Sequence, residues 1–282
     1  MPSRAACLGI VLVWLGFNGW LFFRDLLPRM LPGQPPPYTI DLVEETKTRR
    51  PYVEWAVEHG GERAFRARTY VNHPAHDVFE LVADLTATAG PPPLHGVRLR
   101  RMSSTYRVNS AGDLLGVAVD LDGHPQAEAL RLVAADFTAS IGGDVENGRL
   151  TPRLTLKLPG KPFERDLATV AVPSGGAVLL PLHPVNRVQG ISLGQSWLVR
   201  GIDPIASLLG ALAGGAELPL LRAKVRPEFQ PFSYGRRRDV ECLVIDYEGD
   251  GMTVSTWVAR ERGLVLCQEA TLDNGKWAMY RE

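Results

Sequence analysis

The sequence predicts a mainly β, antiparallel protein: a curved sheet or half-barrel meander holding one buried apolar helix and preceded by an N-terminal transmembrane helix. Three observations predict it. Residues 5–23 (AACLGIVLVWLGFNGWLFF) form an uncharged apolar run between Arg4 and Arg24. From about Arg63 onward, short segments are separated by Gly, Asn, Asp and Pro, and helical periodicity is nearly absent. Beyond Val240 four such segments follow one another with tight turns between them, the pattern of a β-meander.

The apolar run comes first in the chain. A helix rises about 1.5 Å per residue, and roughly twenty apolar residues cross a hydrocarbon core of about 30 Å, so this run just reaches spanning length. Trp14, Trp20, Phe22 and Phe23 gather in its far half, where aromatic rings favour the headgroup boundary. A secretory signal has a shorter apolar core and a small-residue cleavage site, whereas Leu21-Phe22-Phe23-Arg24 ends this one. The first reading is therefore an uncleaved signal-anchor over 1–26 with its N-terminus inside. A cleaved signal and a buried globular helix are the alternatives. Cys7 lies near the start of the run, whereas a lipoprotein cysteine follows it, and Asn18 is the polar side chain that could bond a partner helix.

Residues 27–51 hold Pro28, Pro32 and Pro35-Pro36-Pro37 and read as an extended stalk and connection, because proline fixes its own φ and removes a donor. The remainder, 52–282, is expected to be the extracytoplasmic β-rich domain, with a subdivision near 160–180 left open. Lys plus Arg and Asp plus Glu number 31 each, which excludes a general nucleic-acid binder, since phosphate neutralisation needs a basic excess on one face. Arg236-Arg237-Arg238 reads as a solvated turn.

Strands are expected over 64–71, 77–85, 97–108, 113–121, 129–141 and 149–158, with Asn109 to Gly112, Gly142-Gly143-Asp144 and Asn147-Gly148 as turns. Ile205 to Ala216 (IASLLGALAGGA) is the one convincing helix of the domain. It is apolar nearly all round, hence buried, and its three glycines each weaken it by about 1 kcal/mol relative to Ala, so packing has to hold it. The meander follows over 240–247, 252–259, 264–272 and 276–281. A first hairpin closing on Glu248 to Gly251 puts Cys242 opposite Trp257. A second closing on Arg260 to Gly263 puts Cys267 opposite Thr256, so the two thiols are expected on different faces and unbonded unless a one-residue bulge intervenes.

Leu180, Pro181, Val188, Gly194, Gln195 and Trp197 match an LP…V…G-[DQ]-x-W pattern. In this the chain resembles a group of exported, β-rich bacterial proteins of unknown function, and the resemblance implies export and a β-domain without assigning an activity. The cadence Trp257-Val258…Gly263-Leu264-Val265-Leu266, taken with the apolar helix, also resembles the ends of the exported lipoprotein-carrier group. That resemblance implies a curved antiparallel sheet wrapped around buried helices and holding acyl chains, in an apolar pocket with Trp197, Leu208, Leu209 and Trp257 as lining candidates and core as their plainer role.

Chemistry is sparse. His73, His76 and Asp77 lie close together, but with Pro74 between the histidines they offer a turn and no convergent ligand set, so no metal is expected. Asp120, Asp122, His124 and Asp136 form a polar cluster around a hairpin turn. No nucleophile elbow, zinc helix, Walker loop or dinucleotide fingerprint is present, so no catalytic residue and no cofactor is assigned. The expectation is a non-catalytic, single-pass, membrane-anchored extracytoplasmic domain that binds a lipid-like apolar ligand or an envelope partner protein. The alternatives are a structural or assembly component of an envelope complex without a ligand pocket, and a hydrolase whose residues converge only in three dimensions.

Overall fold

The computed structural model describes residues 13–15, 17–20, 52–88, 90, 97–110, 112–125, 136–157, 162–172, 178–179, 186–201, 220–249, 252–272 and 275–282. Eighteen strands run along them. Long ones come first: β1 Val53–His59, β2 Glu62–Ala75, β3 Val78–Ala87, β4 Val97–Val108, β5 Leu114–Pro125 and β6 Phe137–Glu146. Short ones follow: β7 Arg149–Leu150, β8 Arg153–Lys157, β9 Pro162–Asp166, β10 Val170–Ala171, β11 Val178–Leu179 and β12 Ser196–Gly201. The last six are β13 Leu220–Val225, β14 Gln230–Tyr234, β15 Arg237–Gly249, β16 Met252–Ala259, β17 Val265–Leu272 and β18 Gly275–Arg281.

They form one open, curved sheet, antiparallel except for the pair β11–β12. From one end the neighbours run β9, β8, β6, β5, β4, β3, β2, β1, β18, β17, β16 and β15. Beyond β15, strands β13 and β14 share its free edge, β12 lies beside β13, and β11 beside β12. Strand β1 is the seam. It pairs with β2 through a tight turn at Gly60-Gly61 and with β18 from the far end of the sequence, Trp55 opposite Arg281.

Most expected strands are found, the second strand of the meander over 252–259 as read. Strand β1 was not anticipated, nor were β13 and β14, because their side-chain alternation is broken by Ala, Lys, Pro and Gln and their partners are remote or on a bent edge. The expected strand over 129–141 begins only at Phe137 among the described residues. Residues 13–15 and 17–20 are helical, and among the described residues no helix is long and apolar enough to cross a membrane. The rest of the anchor, the stalk and the helix expected at Ile205 to Ala216 lie outside the described residues.

Directly paired residues of neighbouring strands share a face, so the register traces each side of the sheet. One side, here called inner, carries a contiguous apolar cluster running from Leu154 and Ile141 through Leu85, Trp55 and Trp277 to Trp197. A side chain such as Leu or Val contributes about 1.5–3 kcal/mol when fully buried, so this cluster is the main source of stability. A second inner cluster, with Phe79, Tyr106, Val108 and Leu150, fills the far ends of β3, β4 and β5.

The hairpin β14–β15 bends across the other, outer side. Tyr234 stacks on Tyr280 with centroids 4.0 Å apart, and its hydroxyl donates to Glu58 Oε1 at 2.9 Å. Phe232 packs on Trp257, and Arg237 donates to the carbonyl of Arg281. Beneath this flap lies a third cluster containing Cys242 and Cys267.

Candidate binding face

The inner face is built from rows of cross-strand partners. One row reads Trp197, Ala223, Tyr247, Val254, Ala270, Trp277. The next reads Val225, Ile245, Thr256, Gln268, Met279, Val57, Phe65. Trp197 is held at its place by a local turn: Gly194 has φ +74°, and Gln195, 5 % exposed, accepts the Ser192 N–H on its side-chain oxygen while its own N–H reaches Ser192 O. That is the structural content of the G-Q-x-W motif, and Val188 is buried in the same apolar cluster as Trp197. Leu180 and Pro181 lie outside the described residues.

Among the described residues, polar groups interrupt the apolar face at Ser104, buried between Ala83 and Val119 in the register, and at two larger places. In the first, Trp55 Nε1–H donates to Thr69 Oγ1 at 2.8 Å and the Thr69 hydroxyl donates to Asn186 Oδ1 at 2.9 Å. Arg281 donates to the carbonyls of Asn186 and Val265, with its guanidinium over the Trp55 ring. The segment 186–188 is sewn to the start of β17 by Val265 N–H to Asn186 O and Val188 N–H to Gly263 O. A Cβ on Gly263, whose φ is +61°, would run into Val188 O, so glycine is required at that approach. In the second place, Gln268 Nε2 donates to Thr256 Oγ1 at 3.4 Å, and both residues are 3 % exposed. Gln268 Oε1 is buried with no hydrogen-bond partner among the described residues.

A bulge creates the second place. Near the turn Val258 pairs with Val265, the register expected for a hairpin closing on Arg260 to Gly263; one residue further, Trp257 pairs with Cys267. Leu266 is the extra residue, so Thr256 faces Gln268 and Cys267 turns outward. The expected positions of the thiols are corrected accordingly. Cys242 pairs with Ala259, two residues from the expected Trp257 and hence on the same side, and both cysteines lie in the outer cluster. They are nonetheless free thiols, because β16 lies between their strands and two strand spacings of about 4.8 Å put them roughly 10 Å apart, beyond disulfide reach. Burial pushes the Cys242 thiol up to about 11 and the Cys267 thiol further still.

Of the four pocket candidates, the two among the described residues, Trp197 and Trp257, are not brought together. Trp197 is on the inner face in edge-on contact with Tyr247, whereas Trp257 is on the outer face between Phe232 and the Arg226 guanidinium. Leu208 and Leu209 lie outside the described residues. Thr256, Gln268 and the Trp55–Thr69–Asn186–Arg281 set were missed by sequence reading, since the register that assembles them depends on the bulge and on remote strand pairing.

The other polar clusters are structural in geometry. His73 stacks on Phe79, and hydrogen bonds from the Ser110 side chain and then its N–H hold the Asp77 carboxyl below the ordinary range. Arg100 bridges Asp122 and Asp136, each at 2.6 Å, and His124 lies 3.3 Å from Asp136. The Arg100 hydrogen bond lowers the Asp136 carboxyl. Among the described residues no group of His, Cys, Asp and Glu could hold a metal. Comparison with family models, with curated proteins and with solved structures finds no match.

Proposed function

We propose that this chain is a membrane-anchored, extracytoplasmic binding domain, non-catalytic, whose inner sheet face takes a lipid-like apolar ligand. The observation that carries the reading is the inner face itself: one contiguous apolar surface crossing the sheet from β8 to β12, closed to water and interrupted by only a few buried polar side chains. Apolar lining with a small number of placed polar groups is the general composition of small-molecule sites. The anchor reading draws on the helical residues Val13, Trp14, Leu15, Phe17 and Trp20, each more than half exposed although large and apolar. In water such side chains are costly, while in a bilayer they are at home.

The test is native mass spectrometry of the full chain prepared from a host with an export pathway. An additional mass matching an acyl-chain compound is the expected result. A clean apo mass, unchanged after incubation with cis-parinaric acid, overturns it in favour of an envelope scaffold without a ligand.

A further inference from the structure

We infer that the arginine turn of the β14–β15 hairpin, Arg236-Arg237-Arg238, is a docking surface for the anionic phospholipid headgroups of the bilayer that holds the anchor. The inference rests on the membrane-anchored reading above and adds the side that the domain turns to the membrane. Its first support is an unbalanced charge. Gly235-Arg236-Arg237-Arg238-Asp239 sets three cations against one carboxylate in a chain whose net charge is zero. Arg236 and Arg238 are exposed, and none of the three arginines makes an ion pair among the described residues. The carboxylates of the strands beneath are engaged elsewhere: Glu54 with Arg68, Glu58 with the Tyr234 hydroxyl, and Glu282, the residue after β18, with Arg63. Arg237 is half-buried and donates to the Arg281 carbonyl, a neutral partner, and burial lowers its guanidinium from the ordinary value. A guanidinium carries five donors in a planar fork that matches phosphate oxygens, so an anionic phosphate supplies what these side chains lack.

The second support is place. Tyr234 on Tyr280 and Arg237 on the Arg281 carbonyl pin the turn over the end of β18. Arg281 pairs with Trp55, and Glu282 N–H closes onto Glu54 O, so the turn lies at the end of β1 where the chain enters the domain at Tyr52. The Arg68 guanidinium sits over the Tyr52 ring at the same end. In sequence, Lys47, Arg49 and Arg50 come just before Tyr52, and the apolar run 5–23 stands upstream of them. The unpaired cations of the turn are therefore on the part of the domain joined to the anchor. Basic residues held close to a bilayer are attracted by anionic lipid over about a Debye length, and salt weakens the attraction.

The experiment places the full chain in lipid nanodiscs of phosphatidylcholine, or of phosphatidylcholine and phosphatidylglycerol in equal parts, and follows hydrogen exchange of the peptide spanning 233–239. In the anionic discs its exchange is expected to be slower by about fivefold, and high salt to remove the difference. Arg236→Gln combined with Arg238→Gln changes two exposed side chains, and it is expected to abolish the slowing while exchange in β16 to β18 stays as in wild type. Slowing that survives the double substitution overturns the assignment to the turn. Inorganic phosphate that slows exchange equally in phosphatidylcholine discs overturns the bilayer as the source of the anion. Equal exchange in the two kinds of disc overturns the inference and leaves the anchored reading standing. A chain that enters neither disc, eluting free of lipid on size exclusion, overturns the anchored reading itself, and the inference with it.

Discussion

The two halves of the sheet treat the outer face in opposite ways. Across β2 to β6 it is a charged surface in water, with Arg68 paired to Glu54, Arg107 to Asp144, and Ser103 donating to Asp84. Across β15 to β18 and β1 the same side presents Val244, Trp257, Cys267, Tyr280 and Ala56 in one row, roofed by the β14–β15 hairpin. One half is therefore buried on a single face and the other on two. The sequence carries the difference: Ala64 to Val71 alternates apolar and polar, while Val240 to Tyr247 and Leu264 to Leu272 each hold four apolar residues in succession, Cys242 to Ile245 and Leu264 to Cys267, as strands buried on both sides do.

A charge placed on each outer face gives the largest separation. Val244→Asp buries an unpaired carboxylate at a fully covered site and is expected to cost about 3 kcal/mol or more. Thr86→Asp, exposed and flanked in register by Arg66 and Arg101, is expected to stay within about 0.5 kcal/mol. Equal losses in denaturant unfolding would break the contrast between the halves.

Alkaline titration separates them next. Burial raises the Cys242 thiol from about 9 to about 11 and the Tyr234 hydroxyl to about 12, and it raises Cys267 and Tyr280 beyond these. All four belong to the doubly buried half. Because each folded value lies above the unfolded one, the stability held by the neutral forms is complete below about pH 9 and is lost as pH rises through 11 and 12. Hydrogen exchange is expected to accelerate first in β14, β15, β17 and β18; uniform acceleration over β2 to β6 would contradict the assignment. In the native protein below pH 9 both thiols are expected to resist a thiol reagent, and the intact mass to show no loss of two hydrogens without reductant.

The smallest contrast lies in the ion pairs. Arg226 grips Asp246 with two hydrogen bonds, 2.8 and 3.0 Å, and Ser255 adds a third. Burial raises the Asp246 carboxyl, but these bonds outweigh it and hold it below the ordinary range. Arg226→Met is expected to cost roughly 1.5 kcal/mol, against about 0–0.5 kcal/mol for Arg68→Met, whose pair is half in water. Thermal melts of the two variants check the order.

Sequence legibility follows the same division. Strands β2 to β5 were readable because one-sided burial writes a period of two into the chain and Gly-Asn-Asp turns punctuate it. Strand β16 was readable from its flanking turns. The polar pair on the inner face was not, since the single residue Leu266 decides which of Cys267 and Gln268 points inward, and an apolar bulge residue leaves no compositional mark. Trp197 and Trp257 were grouped as lining through the carrier resemblance, which carries no register. Only the register, with Val254 inside and Trp257 three residues on, separates them.

The seam at β1 has a consequence in time. During synthesis β1 and β2 emerge early, yet the second edge of β1 is satisfied only by β18, the last strand of the sheet, with Glu282 N–H closing onto Glu54 O. Joining ends so remote in sequence requires a large loop-closure entropy before any pairing returns it, which slows folding. Until then the middle of the sheet is an open edge running Val53 to His59, able to template pairing with another chain. The half that is finished first must wait for the half that is finished last.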